Sequence, residues 1–143
     1  MEPTFKYGTK KAVNELAKEL MSNEGCMQDY KRKLKLLFVC NINRMRSATA
    51  HKIYENDSRF ELKSAGTDKT ANTVLTDDIL SWADSIVVME KRHRNYIREH
   101  FPDIYKNKKI VCLYIPDNYD YMQAELIEIL KNKIEDAYRR KLI

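Results

Sequence analysis

Lys35-Leu36-Leu37-Phe38-Val39-Cys40-Asn41-Ile42-Asn43-Arg44-Met45-Arg46-Ser47-Ala48-Thr49-Ala50 is the stretch whose reading decides the fold. It begins as an apolar run of strand type, reaches a cysteine, turns through five residues and resumes as the small-residue start of a helix. A strand ending at Cys40 and a helix beginning near Arg46 would bring the amides of Asn41, Ile42, Asn43, Arg44 and Met45 toward one point. Unpaired N–H groups and a helix dipole at such a place favour negative charge. The same field favours an ionised sulfur, which makes Cys40 a candidate nucleophile. Arg46 offers a planar fork able to hold two phosphate oxygens at once. A cysteine beneath a bound phosphate, with an arginine clamp, is equipment for phosphoryl transfer. A P-loop NTPase is excluded: Gly-x4-Gly-Lys-[Ser/Thr] is absent and the loop has no glycine.

Working outward, Leu34 to Val39 is nearly all apolar, as a central parallel strand covered on both faces should be. A helix is expected from Arg46 to Tyr54, stopped by Asn56-Asp57-Ser58, then a second strand from Phe60 to Ser64 with Gly66 as a turn residue. Thr76 followed by Asp77-Asp78 reads as an N-cap with first-turn acids, opening a short helix through Ile79, Leu80 and Trp82. Ser85 to Met89 reads as a third strand. Lys91 to His100 reads as a helix stopped by Phe101-Pro102. Lys109 to Ile115 is the fourth strand, and the last helix runs from about Tyr121 to Tyr138, with Met122, Leu126, Ile129, Leu130 and Ile134 on one face. Strands alternating with helices imply right-handed βαβ units and a parallel sheet with helices on both sides, an α/β fold of three layers. Ligands bind such sheets beyond the carboxyl ends of the strands, which is where Cys40, Glu90-Lys91-Arg92 and Pro116-Asp117 fall.

The bulk composition narrows the class. A chain of 143 residues, 43% hydrophobic and 33% charged, is one domain with a sizeable core. No apolar run approaches the ~20 residues needed to cross a bilayer. The start, Met1-Glu2-Pro3-Thr4, lacks a signal-peptide pattern, so a cytoplasmic protein is expected. Cys26, Cys40 and Cys112 are an odd number at irregular spacing, which fits reduced thiols. Cys26 and Cys112 lack an arginine at the spacing of Cys40 and read as structural. His51, His93 and His100 show no ligand spacing, so neither a metal nor another cofactor is expected. The net charge of +5 suits an acidic or phosphorylated partner and by itself also suits nucleic acid. Lys91-Arg92-His93-Arg94 reads as a solvated charge run, or as a device for steering acidic substrates.

Four motifs in order carry a resemblance: Cys40-x5-Arg46-Ser47 after the strand, Ser64-Ala65-Gly66-Thr67, Trp82-Ala83-Asp84 with Val88-Met89-Glu90, and Ile115-Pro116-Asp117. Over roughly residues 35 to 134 the chain resembles the low-molecular-weight protein tyrosine phosphatases, most nearly a short, atypical bacterial branch. The resemblance implies a doubly wound sheet of four parallel strands in the order 2-1-3-4. It implies hydrolysis of phosphotyrosine (aryl phosphate) monoesters, on a phosphorylated protein or a small phosphomonoester, through a phosphocysteine intermediate. In that reading Cys40 attacks, and Arg46 with loop residues Asn41, Ile42, Asn43, Arg44 and Met45 binds the phosphate. Asn43 takes a left-handed backbone, and Ser47 steadies the sulfur as leaving group. Ser64 supports the asparagine, Asp117 is the general acid with Asp120 as its competitor, and Tyr119 lines the pocket mouth.

The chain departs from that pattern at several places. Asp117 is followed by Asn118 where the family carries proline. Only eight residues separate Thr67 from Thr76, implying a more open site. Met45 stands where some relatives hold a second cysteine, so their intraloop disulfide cannot form, and the cysteine relay of arsenate reductases is absent. The imperfect acid loop leaves open a phosphate- or phosphoprotein-binding module of the same fold without turnover. Basic charge alone suggests a phosphatase for nucleic-acid ends. Residues 1–34 read as an added helical extension, with Ala12, Val13, Leu16, Ala17, Leu20 and Met21 at helical spacing after Thr9, and residues 35–143 as the phosphatase domain.

Overall fold

The computed structural model describes residues 32–143. The helix expected between Thr9 and Met21, and Cys26, lie outside the described residues. The chain runs β1 (Leu34–Cys40), α1 (Arg46–Tyr54), β2 (Phe60–Gly66), α2 (Asp77–Trp82), β3 (Ser85–Val88), α3 (Lys91–His100), α4 (Pro102–Asn107), β4 (Lys109–Cys112) and α5 (Ala124–Arg139). All pairings are parallel and the order is β2-β1-β3-β4, as the resemblance implied.

β1 sits in the middle of the sheet and feeds both sides of it. Alternate side chains of a strand point to opposite faces. Leu36, Phe38 and Cys40 join a core built with Ala50 and Tyr54 of α1 and Leu126, Leu130 and Ile134 of α5. Leu37 and Val39 join a second core with Leu80 of α2 and Ile97 of α3, with Ile104 of α4 packed against it. The apolar run has no polar face because neither face meets water. It ends at Cys40, which pairs in register with Gly66 at the carboxyl edge.

Where elements differ from expectation, the local chemistry explains it. β4 ends at Cys112, two residues before Tyr114 at φ 56°, although Leu113 and Ile115 still donate N–H bonds to Val88 and Met89. α5 starts at Ala124 because Met122 sits at φ 61°. Pro102 does not only stop α3. It stands at the first turn of α4, where a fixed φ and a missing N–H cost nothing. No helix among the described residues is long and apolar enough to cross a membrane.

Candidate active site

The loop from Asn41 to Met45 is shaped by the segment that follows β2. Thr67 N–H donates to Cys40 O at 3.0 Å, Asp68 N–H to Asn41 O at 2.9 Å, and Asn72 N–H to Ile42 O at 3.1 Å. Asn72 Nδ2 donates to Asn43 O at 3.0 Å. Four consecutive carbonyls are thereby engaged by one flanking segment, which leaves the loop amides to serve the concave side. Asn43, buried at φ 58°, makes the reversal. Asparagine tolerates that left-handed conformation better than most residues. No side chain caps the N-terminus of α1, so its dipole acts on whatever the loop encloses.

Cys40 is buried at the bottom of this loop. Its Sγ lies 2.9 Å from Ser47 Oγ and accepts the Asn43 N–H at 3.2 Å. Ser47 Oγ donates to Asn43 Oδ1 at 2.8 Å. With the hydroxyl proton on Asn43, the Cys40 S–H can donate to Ser47. Once the sulfur is ionised, the same proton can turn to it. Ser64 supports Asn43 through its carbonyl, which accepts from Asn43 Nδ2 at 3.4 Å, while the Ser64 hydroxyl meets His51 Nδ1 at 3.3 Å.

Arg46 is fully buried and held by one nitrogen. Nη1 donates to Glu90 Oε2 and, at 2.8 Å, to Ile115 O. Nη2 lies 3.8 Å from Asp117 Oδ1. Nε, also buried, has no hydrogen-bond partner among the described residues. Nε and Nη2 share one edge of the guanidinium, the edge that can grip two oxygens of a tetrahedral anion. A buried donor without an acceptor is costly, so its presence beside a loop of inward amides marks where an oxyanion fits.

Glu90, which the strand pattern puts at the ligand edge, and His93, which the sequence shows only as part of a charge run, both support the site. Glu90 caps α3 in a reciprocal box, in which its own N–H donates to His93 Nδ1 at 3.0 Å. An N-cap acid three residues before a polar side chain was the available signal. The Arg92 hydrogen bond, then that of Arg46, holds the Glu90 carboxyl down to about 2. His93 is buried rather than part of a solvated run, and burial, reinforced by the Arg46 charge, lowers it to about 4. Its Nε2 lies 2.6 Å from Asn41 Oδ1.

A small cavity of about 20 Å³ over the sulfur is lined by Cys40, Asn41, Ile42, Met45, Arg46 and Asp117. Asp117 therefore faces the cavity, whereas Asp120 lies outside that lining, its N–H spent on Gln123 Oε1. Arg44 is exposed beside the cavity without lining it. Tyr119 packs half-buried against the α1–α5 core and is not part of the lining. Cys112 is half-buried, and burial pushes its thiol up, away from nucleophile chemistry.

No protein-family model and no curated protein matches the chain. Solved structures do match. The YwlE arginine phosphatase from Geobacillus stearothermophilus aligns at TM-score 0.58 and 21% identity, over 76% of this chain and 96% of its own. The fold is that of the low-molecular-weight protein tyrosine phosphatases. SP-PTP, the low molecular weight protein tyrosine phosphatase from Streptococcus pyogenes, aligns at TM-score 0.63 and 17% identity, over 75% of this chain and 92% of its own. The tyrosine phosphatase AmsI of Erwinia amylovora gives 0.61 and 20%, over 76% and 93%. In this phosphatase fold, the strand order and the loop after β1 are the features that place Cys40 and Arg46 together.

Proposed function

We propose that this protein is a cysteine-dependent phosphatase acting on phosphotyrosine or similar aryl phosphate monoesters. The observation that carries the reading is Arg46 Nε, buried without a hydrogen-bond partner among the described residues, in a site where Cys40 Sγ accepts a loop amide. Cys40 Sγ attacks phosphorus, and the bond to the substrate oxygen breaks as Asp117 gives that oxygen a proton. Arg46 and the loop amides hold the three equatorial oxygens as charge builds on them. Water then attacks the phosphocysteine, Asp117 takes back a proton, and the sulfur leaves as a thiolate steadied by the Ser47 hydroxyl. The backbone amides of Asn41, Ile42, Asn43, Arg44 and Met45 supply the cradle, while Tyr119, packed against the core and outside the cavity lining, is given no contact with the leaving group. No step calls for a metal.

The fold neighbours named above include both tyrosine and arginine phosphatases, which makes phosphoarginine the comparison substrate. The test is hydrolysis of p-nitrophenyl phosphate, a phosphotyrosyl peptide and a phosphoarginyl peptide, each with and without Cys40→Ser. Turnover of the two aryl substrates that vanishes in the variant is the expected result. Saturable phosphate binding with no turnover of any substrate would instead make the protein a phosphate-binding module. Turnover confined to phosphoarginine would overturn the substrate assignment while leaving the chemistry.

A further inference from the structure

We infer that Arg92, together with the Asn41 amide, forms a second anion subsite beside Cys40, fitted to an acidic side chain flanking the phosphorylated residue of a peptide substrate. The inference rests on the phosphatase reading for where the scissile phosphate sits.

Position comes first. Arg92, in the first turn of α3, folds back so that Nε donates to Glu90 Oε1 at 2.8 Å and Nη2 to Glu90 Oε2 at 3.3 Å. Its Nη1 and Nη2 also lie 2.9 and 2.8 Å from the Asn41 side-chain amide. Asn41 lines the cavity over Cys40, so the Arg92 guanidinium stands just outside that cavity's wall. About half of the Arg92 side chain is open to solvent, within reach of an approaching peptide.

Hydrogen-bond chemistry makes the second argument. The Glu90 N–H donates to His93 Nδ1, which fixes His93 as the tautomer with its proton on Nε2. That proton can go only to an acceptor, so Asn41 must present Oδ1 to His93 and its NH2 to Arg92. Turning the amide over would give Arg92 an oxygen but would set an NH2 against a protonated Nε2. Either way one contact joins donor to donor. The arrangement is short of one acceptor, at the place where the Asn41 amide and the Arg92 guanidinium converge. A carboxylate oxygen drawn between them satisfies both, and the cation favours an oxyanion over a neutral acceptor.

Charge makes the third. Arg46 is matched by Glu90, whereas Arg92 adds a further positive charge to the same carboxylate. Besides Glu90, the Asp117 and Cys40 charges act on Arg92 and stabilise its charged form. The guanidinium thus lies within the field of the reacting groups, and it can read a negative charge adjacent to the phosphate.

The experiment compares phosphotyrosyl peptides flanked by Glu with the same peptides flanked by Gln, using the full chain. Wild type is expected to favour the acidic peptide about tenfold in kcat/KM, the scale of one charge-assisted hydrogen bond at a half-open position. Arg92→Gln should bring the ratio to about one, and Arg92→Lys should restore part of it. A structural role alone would lower both peptides equally and leave the ratio in place. The same pairs are measured by calorimetry on Cys40→Ser. Turnover with no acidic preference overturns the subsite and leaves the enzyme reading standing. Acidic preference in binding, lost in Arg92→Gln but accompanied by no turnover in wild type, supports the subsite and removes the enzyme reading. No preference in either measurement, with no turnover, removes both.

Discussion

Glu90 holds Arg46 by a single terminal nitrogen, Nη1, and so decides which edge of the guanidinium remains for a ligand. The two are 44 residues apart in the chain and meet because β1 and β3 are sheet neighbours. The pair is largely buried, with Arg46 closed off and Glu90 one-quarter exposed. Breaking a buried pair by removing one partner leaves an uncompensated charge, a cost of about 3–5 kcal/mol. Glu90→Ala is therefore expected to lose stability on that scale in denaturant unfolding. Glu90→Gln keeps an acceptor for Nη1 and should lose less stability, while still weakening inorganic phosphate as a competitive inhibitor. Equal stability in the alanine variant and wild type would show that the pair contributes nothing to the fold.

Gly66 carries a second prediction. A Cβ added there would stand 2.4 Å from Asn41 O and 2.6 Å from Ala71 Cβ, both inside contact distance. The nearest obstacle is the backbone of the Asn41–Met45 loop itself, where the Asn41 carbonyl cannot yield without moving the Ile42 N–H of the same peptide unit. Overpacking of this kind costs about 1–3 kcal/mol. Gly66→Ala should fold with lowered stability and lose more than tenfold in kcat/KM. The measurements are unfolding in denaturant and aryl phosphate hydrolysis on the same preparation. Stability lost without any loss of activity would mean that the strain is relieved at Ala71 instead.

How much of this was legible from the sequence depends on the range of the interaction. The strand–loop–helix around Cys40 and Arg46 is local, so spacing alone located it, and α1 starts and ends at Arg46 and Tyr54 as expected. The strand order followed from family resemblance, and Asp117 lines the cavity over Cys40. Glu90, His93 and Asn72 act across 44, 52 and 29 residues through one or two hydrogen bonds each, and no periodicity encodes such pairs. His93 was hidden in a basic run whose other members are solvated or half-buried. α4 was masked by Pro102, a residue that both ends one helix and begins the next.

His93 ties stability to pH. In the folded protein its proton affinity is lowered to about 4, against an ordinary value of 6.5. The unfolded chain therefore takes up a proton that the folded one refuses as pH falls through this window. Stability from this group is fully present above about pH 6.5 and is lost down to about pH 4, at about 1.4 kcal/mol per unit. His51, lowered by burial, acts in the same direction. Chemical denaturation at pH 7, 6, 5 and 4 should show a loss on the order of 3 kcal/mol, and a His93→Gln variant a shallower slope. Identical slopes in the two proteins would assign the pH dependence to other groups.

Asp117 and Asp120 compete for one role, and their positions separate them. Asp117 lines the cavity over Cys40 and lies 3.8 Å from Arg46 Nη2, with about half of its side chain open to solvent. Asp120 lies beyond the lining, next to the start of α5. A proton donor must reach the leaving oxygen, so geometry selects first and affinity for the proton second. Asp117→Asn is expected to lower kcat/KM, which reports the leaving-group step, by about 10²–10⁴-fold on substrates with a poor leaving group, the usual contribution of general acid catalysis. The loss should shrink for p-nitrophenyl phosphate, whose leaving group departs with little help. Asp120→Asn should stay close to wild type on both. Steady-state kinetics of the two variants on an alkyl and an aryl phosphate decide it, because a merely structural Asp117 would slow both substrates by the same factor.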